Sequence, residues 1–267
     1  MYSRWFDDEP CRPANRQPRI ARRVKLLSAD FVTSAGAGGR AEAIPGDGLA
    51  HVAFAGRSNV GKSTLLNALV RRKLARTSAA PGKTRLANVF RLTVEGGPGG
   101  PGTWGVYFVD LPGYGYARGG DDAAAELAQV ARAYYASGFG TRAAISAARG
   151  ARPLKPGADR QPDPGSRIPD PDHNEQRRIR ATLLLIDSRH PGLDSDVQAQ
   201  RWLAAVGPAP QIVATKIDKL TRADRVRNLR ELERVFGTAA LPVSASAGEG
   251  LDELWRLIAR VARQRPQ

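Results

Sequence analysis

The sequence predicts an α/β fold: a mostly parallel six-stranded sheet with one antiparallel edge strand and helices on both faces. Three observations predict it. A short apolar run, His51-Val52-Ala53-Phe54-Ala55, passes through a glycine-bearing turn directly into the helix-like Ser63-Thr64-Leu65-Leu66-Asn67-Ala68-Leu69-Val70. Two further runs, Val89–Val94 and Trp104–Asp110, flank the glycine- and proline-rich loop 96–102, which reads as a hairpin with an enlarged tip. Beyond the middle of the chain, apolar runs at Thr182–Ile186, Gln211–Thr215 and Leu241–Val243 alternate with helix-like stretches around 195–206, 221–236 and 249–263.

The 267 residues, 42% hydrophobic and 25% charged, suffice for one sizeable core and exclude a wholly disordered or fibrous chain. Residues 1–23 mix Pro, Arg and Asp with little apolar period and read as a mobile arm, so the single domain is expected over 24–263, with 264–267 as a tail. An insertion at 137–178 breaks the alternation with Arg-Pro, Lys-Pro-Gly and Pro-Asp-Pro and is expected to be disordered. The longest apolar runs, such as Ala181–Ile186, fall far short of the roughly 20 residues that span a bilayer, and the polar start lacks a signal-peptide apolar region. A cytoplasmic location without a membrane partner is the expectation. The lone Cys11 cannot form an internal disulfide or a thiolate metal site. A formal charge of +15 favours a polyanionic partner such as nucleic acid or an anionic membrane surface.

Gly56-Arg57-Ser58-Asn59-Val60-Gly61-Lys62-Ser63 matches G-x-x-x-x-G-K-[ST] between an apolar strand and a helix, the context that motif requires. Glycines let backbone N–H groups converge on phosphate oxygens, and the helix N-terminus, with Thr64 in its first turn, adds a favourable dipole. Lys62 is expected to reach the β- and γ-phosphates, and the Ser63 hydroxyl to ligate Mg²⁺. Asp110-Leu111-Pro112-Gly113 follows a second apolar strand. Asp110 would hold Mg²⁺ through water, and the Gly113 N–H would sense the γ-phosphate.

Thr215-Lys216-Ile217-Asp218 follows the Gln211–Thr215 run. A carboxylate at Asp218 can accept from both N1–H and the 2-amino group of guanine, whereas adenine presents neither donor, and such mismatched polar groups produce large discrimination. The Lys216 stem can cover the base plane, and at Val243-Ser244-Ala245-Ser246 the Ala245 N–H can donate to guanine O6.

Taken together, Val52–Ser63, Ala75-Arg76-Thr77-Ser78 with Pro81-Gly82-Lys83-Thr84, Asp110-Leu111-Pro112-Gly113-Tyr114-Gly115-Tyr116-Ala117, Asp187-Ser188-Arg189-His190 and Thr215–Leu220 resemble the EngB (YihA/YsxC-type) family of ribosome-biogenesis GTPases, among the translation-factor-related P-loop GTPases. The resemblance covers roughly 24–136 and 179–262. It implies a single, monomeric G domain, Mg²⁺-dependent binding of GTP and GDP, a role in assembly of the large ribosomal subunit with its RNA and proteins as partners, and a requirement for normal cell division and septation. By position, Thr84 resembles the switch I threonine that coordinates Mg²⁺, with Gly82 and Lys83 beside it. Lys62, Thr84 and Gly113 are thereby the catalytic candidates, and Ser63, Thr84 and Asp110 the metal ligands. The family commonly carries Thr where Thr215 replaces the Asn of other GTPases. The insertion and the loop 96–102 exceed the family core.

Tyr114 stands where Ras-like enzymes carry a water-orienting Gln, so slow turnover that accelerates on a partner surface is expected. In related GTPases an asparagine at the position of Asn59 helps hold a K⁺ beside the phosphates. Arg71, Arg72, Lys73, Arg76, Lys83, Arg85 and Arg91 lie in a span free of acids and predict a contact with ribosomal RNA. Two alternatives are an RNA-binding scaffold with little turnover, opposed by intact Lys62, Ser63, Asp110 and Asp218, and an ATP-using P-loop enzyme, opposed by Asp218 and Ser244-Ala245. His51, His173 and His190 share no ligand spacing, and Trp202 and Trp255 sit on amphipathic stretches as core anchors.

Overall fold

The computed structural model describes residues 24–35, 45–74, 86–97, 100–114, 134 and 178–263. The expected N-terminal arm, the C-terminal tail, residues 137–177 of the insertion, and Gly82, Lys83 and Thr84 lie outside the described residues.

Seven strands form one sheet: β1 (Lys25–Ala35), β2 (Ala50–Gly56), β3 (Ala87–Glu95), β4 (Thr103–Asp110), β5 (Arg178–Asp187), β6 (Gln211–Thr215) and β7 (Leu241–Pro242). Their spatial order is β1-β3-β4-β2-β5-β6-β7. Pairing is parallel from β4 through β2, β5 and β6 to β7, and antiparallel where β3 meets β4 and β1. The expected six strands are all present, but the sheet has a seventh, and the antiparallel strand β3 is enclosed by β1 instead of forming the edge. The sequence hid β1 for a physical reason. Register shifts at Leu26/Ser28 and Phe31/Thr33 break its period-2 alternation, and Leu27, Phe31 and Val32 are exposed on an edge strand, so no clean inward-facing pattern survives. The Arg72 guanidinium, just past the first helix, donates to the Ala29 carbonyl and ties β1 to the body of the domain.

Among the described residues, four helices longer than one turn cover the sheet: α1 (Lys62–Val70), α2 (Asp194–Val206), α3 (Arg222–Phe236) and α4 (Leu251–Arg263). Alternation assigns each strand residue to a face. Val52 and Phe54 of β2, with Leu183 and Leu185 of β5, join Leu65, Leu66 and Leu69 of α1 and Leu254, Trp255 and Ile258 of α4. Ala53, Ala55, Leu184 and Ile186 join Leu203 of α2 and Leu232 and Phe236 of α3 on the other side. Covered on both faces, β5 reads as a continuous apolar run, as buried parallel strands do.

Trp255 is the anchor of α4. Its ring lies 5.6 Å from that of Phe108, which in turn lies 4.9 Å from Phe54, and its indole N–H donates to the Leu69 carbonyl at 3.3 Å. Trp202 of α2 is partly buried against the opposite cluster. His51 is 2% exposed and its Nδ1 lies 2.6 Å from the Tyr134 hydroxyl, while His190 is exposed past β5, so these two are separate structural residues. None of the helices among the described residues is long and apolar enough to cross a membrane.

The caps explain where α3 begins and ends. Thr221 accepts from the Asp224 N–H at its start, and Gly237, with φ 69°, closes its end by donating to the Glu233 carbonyl. The start of α1 differs: Gly61 precedes it at φ 101°, no side chain caps it and no acid lies in its first turn. The positive end of that helix therefore faces the C-terminal edge of the sheet with neither a capping side chain nor an acid in its own first turn to satisfy it.

Candidate functional site

Every strongly signalled motif ends a parallel strand on the same edge of the sheet. The loop 57–61 follows β2, Asp110 closes β4, Asp187 closes β5, Thr215 closes β6, and Ser244 follows β7. Ligands in open α/β sheets bind outside these carboxyl ends. The structure brings together the predicted Gly56 to Thr64, Asp110 to Gly113, Thr215 to Asp218 and Ser244 to Ala245 groups along it.

The loop is shaped from inside and gripped from outside. Gly56 lies so close to β5 that a Cβ would fall 2.9 Å from the Leu185 carbonyl oxygen and 2.9 Å from Val60 Cγ1, so only glycine fits. Asn59 adopts a left-handed φ of 65°, and the Val60 N–H donates to the Arg57 carbonyl at 3.1 Å. From β6, the Thr215 hydroxyl reaches the Val60 carbonyl at 2.8 Å and the Ile186 carbonyl at 3.1 Å. Lys216, itself left-handed at φ 60°, donates through Nζ to the Asn59 carbonyl at 2.6 Å and to Asp187 Oδ2 at 2.9 Å. A single threonine hydroxyl therefore bridges two strands and the loop, which is why Thr serves at this position.

In the sequence Asp187 is distinguished only by its place in the Asp187–His190 motif; in the structure it joins Lys216 to Arg189. Its carboxylate accepts from Lys216 and, in a fork, from Arg189 Nε at 2.9 Å and Nη2 at 2.7 Å. Burial acts to raise its pKa, but the hydrogen bonds from Arg189 and Lys216 outweigh it and hold the carboxyl well below the usual carboxylate range. Asp187 thus stays ionised throughout neutral pH and keeps Lys216 aimed across the loop.

Lys62, at the first position of α1, donates through Nζ to Asp110 Oδ1, and the two side chains are only 12% and 7% exposed. The Leu111 N–H donates to the Phe54 carbonyl at 3.0 Å and fixes the chain leaving β4. The donor set fits Mg²⁺: a hydroxyl at Ser63 and a carboxylate at Asp110 are hard oxygen ligands, and Mg²⁺ takes only one or two protein ligands besides phosphates and water.

Asp218, in the 3₁₀ turn Ile217–Lys219, accepts from the Ser244 hydroxyl at 2.7 Å. That hydrogen bond is the leading cause holding its carboxyl below the ordinary range, although burial opposes it. Ser244 is buried, lies 3.1 Å from the Ser246 hydroxyl and accepts from the Ala247 N–H at 3.0 Å. Sequence reading assigned Ser244 to a backbone element only. Its side chain aims the carboxylate, a role that needed the β6 to β7 adjacency to become visible.

The Nε of Arg57 is buried and has no hydrogen-bond partner among the described residues, and the Arg57 charge acts on Asp196 and Tyr114.

Lys216→Ala is expected to weaken GDP binding about 10- to 100-fold, because two charge-assisted hydrogen bonds that shape the loop are lost. Asp187→Asn is expected to weaken it less, and the double variant no further than Lys216→Ala alone. Calorimetric titration of GDP checks this, and additive losses would show that Asp187 acts on something other than Lys216.

Comparisons with known proteins agree with this geometry. A family described as "50S ribosome-binding GTPase" matches residues 51–145. A probable GTP-binding protein EngB of Anaeromyxobacter sp. (strain K) is 36% identical over 248 residues, 91% of this chain and 95% of that protein. One of Solibacter usitatus (strain Ellin6076) is 32% identical over 91% of this chain and 100% of its own length. A crystal structure of a probable GTP-binding protein engB aligns with a TM-score of 0.48 and 19% identity, covering 81% of this chain and 100% of that one. Identity of 32–36% to the Anaeromyxobacter and Solibacter proteins over 91% of its length shows that the chain belongs to the EngB family of GTP-binding proteins and is a P-loop GTPase.

Proposed function

We propose that this GTPase is a switch in assembly of the large ribosomal subunit, and that cell division and septation depend on it through that role. On this reading the bound nucleotide is guanine-specific. Asp218, aimed by Ser244, accepts from N1–H and the 2-amino group, the Ala245 N–H donates to O6, and the Lys216 stem lies over the base. The N–H groups of Asn59 and of Gly61 to Thr64 cradle the phosphates at the uncapped start of α1.

Lys62 is poised for the γ-phosphate. It needs only to exchange the Asp110 carboxylate for phosphate oxygens, and that exchange releases Asp110. Ser63, Asp110 and Thr84 would hold Mg²⁺, which when bound neutralises charge on the β- and γ-phosphates. Gly113 offers its N–H to the γ-phosphate. Asn59 would help hold a K⁺ that supplies positive charge toward the phosphates, and exchanging K⁺ for Na⁺ is then expected to slow single-turnover hydrolysis, whereas an unchanged rate removes the cation from the account.

The observation that carries the ribosomal reading is an exposed basic surface that begins where α1 ends. Arg71 and Lys73 are exposed where α1 ends, and Arg91 projects from β3 with 55% of its side chain exposed. They continue the acid-free run that includes Arg76, Lys83 and Arg85. Phosphate contacts by such residues give affinity, and the nucleotide state times it. The protein is expected to act as a cytoplasmic monomer.

Sedimentation with purified ribosomal subunits tests this. The large subunit should be bound best with a GTP analogue, less with GDP, and at least about tenfold less tightly when salt rises from 50 to 200 mM, since about three released counterions would suffice for that loss. Binding that ignores nucleotide and salt, or that favours the small subunit, would contradict the proposal.

A further inference from the structure

Tyr114 follows Gly113 directly, and its side chain reaches α2. Its hydroxyl donates to Asp196 Oδ1 at 2.8 Å. Asp196, in the first turn of α2, is 1% exposed. The Tyr114 main chain is held just as firmly from the other side. The Ser58 N–H donates to the Tyr114 carbonyl at 2.9 Å, the Tyr114 N–H donates to the Gly56 carbonyl at 3.4 Å, and Arg57 and Tyr114 form a parallel bridge. Gly113 is thereby seated so close to the loop that a Cβ on it would fall 3.0 Å from the Ser58 nitrogen.

A carboxyl buried this deeply is costly unless something holds it in place. Burial raises Asp196 above the usual carboxylate range, against the opposing pulls of the Tyr114 hydrogen bond and the Arg57 charge. Burial next to that carboxyl likewise raises the Tyr114 phenol, so it remains a donor at any physiological pH. The same contact explains why Tyr114 is no substitute for a water-orienting glutamine: its polar atom is spent on α2.

We propose that Asp196 is a positioning residue of the GTPase switch, anchoring Tyr114 so that Gly113 is held beside Ser58, ready for the γ-phosphate. The inference rests on the reading of Gly113 as the γ-phosphate sensor. An N–H already in place binds its phosphate without first paying to order the chain, so the anchor favours GTP over GDP, which lacks that phosphate.

The test is the ratio of affinities for a non-hydrolysable GTP analogue and GDP, measured by fluorescence titration on the full chain. Tyr114→Phe keeps the ring and removes only the donor, and Asp196→Asn keeps the shape and removes the acceptor's charge. Each should weaken the analogue about five- to tenfold while GDP affinity stays within about twofold of wild type. The double variant should be no worse than either single one. Equal weakening of both nucleotides would reduce the contact to a structural one, and an unchanged or raised ratio in both variants would overturn the proposal. Gly113→Ala separates the two claims. If it alters the ratio and the anchor variants do not, the anchor fails; if it leaves the ratio unchanged, the sensor reading fails and the anchor with it.

Discussion

The geometry of this domain depends on the phosphate loop being gripped by side chains of a different strand. A tight loop exposes carbonyl oxygens that turn inward, and each left without a donor costs about 1–3 kcal/mol. Thr215 and Lys216 supply those donors to Val60 and Asn59. Because the same two residues lead into the turn that carries Asp218, the part of the site suited to phosphate and the part suited to a base are one construction. Neither end can move without disturbing the carbonyls that shape the other.

Charge follows the same plan. Among the described residues, Lys62 and Lys216 are each held by a carboxylate at the end of a neighbouring strand: Lys62 by Asp110 of β4, Lys216 by Asp187 of β5. The pairs differ in what they can do next. Asp187 is also forked by Arg189 and is committed to its role, whereas the Lys62 to Asp110 pair can exchange partners when phosphate and a metal ion compete. One pair is scaffold and the other is machinery.

Much of this was legible in the residues alone. The glycine turn, Asp110 and the Thr215 to Asp218 run each sat after an apolar strand, and parallel strands carry their loops to one edge, so motif order on the chain predicted neighbourhood in space. β1 was not legible, since two register shifts and an exposed apolar face erased its alternation. The roles of Asp187, Asp196 and the Ser244 hydroxyl were not legible either. Each depends on which strands and helices end up adjacent, and an aspartate at a strand end or in a first helical turn has ordinary capping explanations within its own segment. Only the sheet order β5-β6-β7 and the packing of α2 beside the loop give these side chains their partners.

The central claim is that the carboxylate of Asp218, aimed by Ser244, chooses the base for a phosphate site built around the same strand. Competition of GDP against xanthosine diphosphate on wild type and Asp218→Asn measures that choice most directly. Xanthine carries a carbonyl where guanine carries its 2-amino group, so an amide at this position should lower GDP affinity at least about 100-fold and reverse the preference toward xanthine, as expected when buried hydrogen-bond partners are mismatched. A variant that keeps the guanine preference of the wild type would contradict the account.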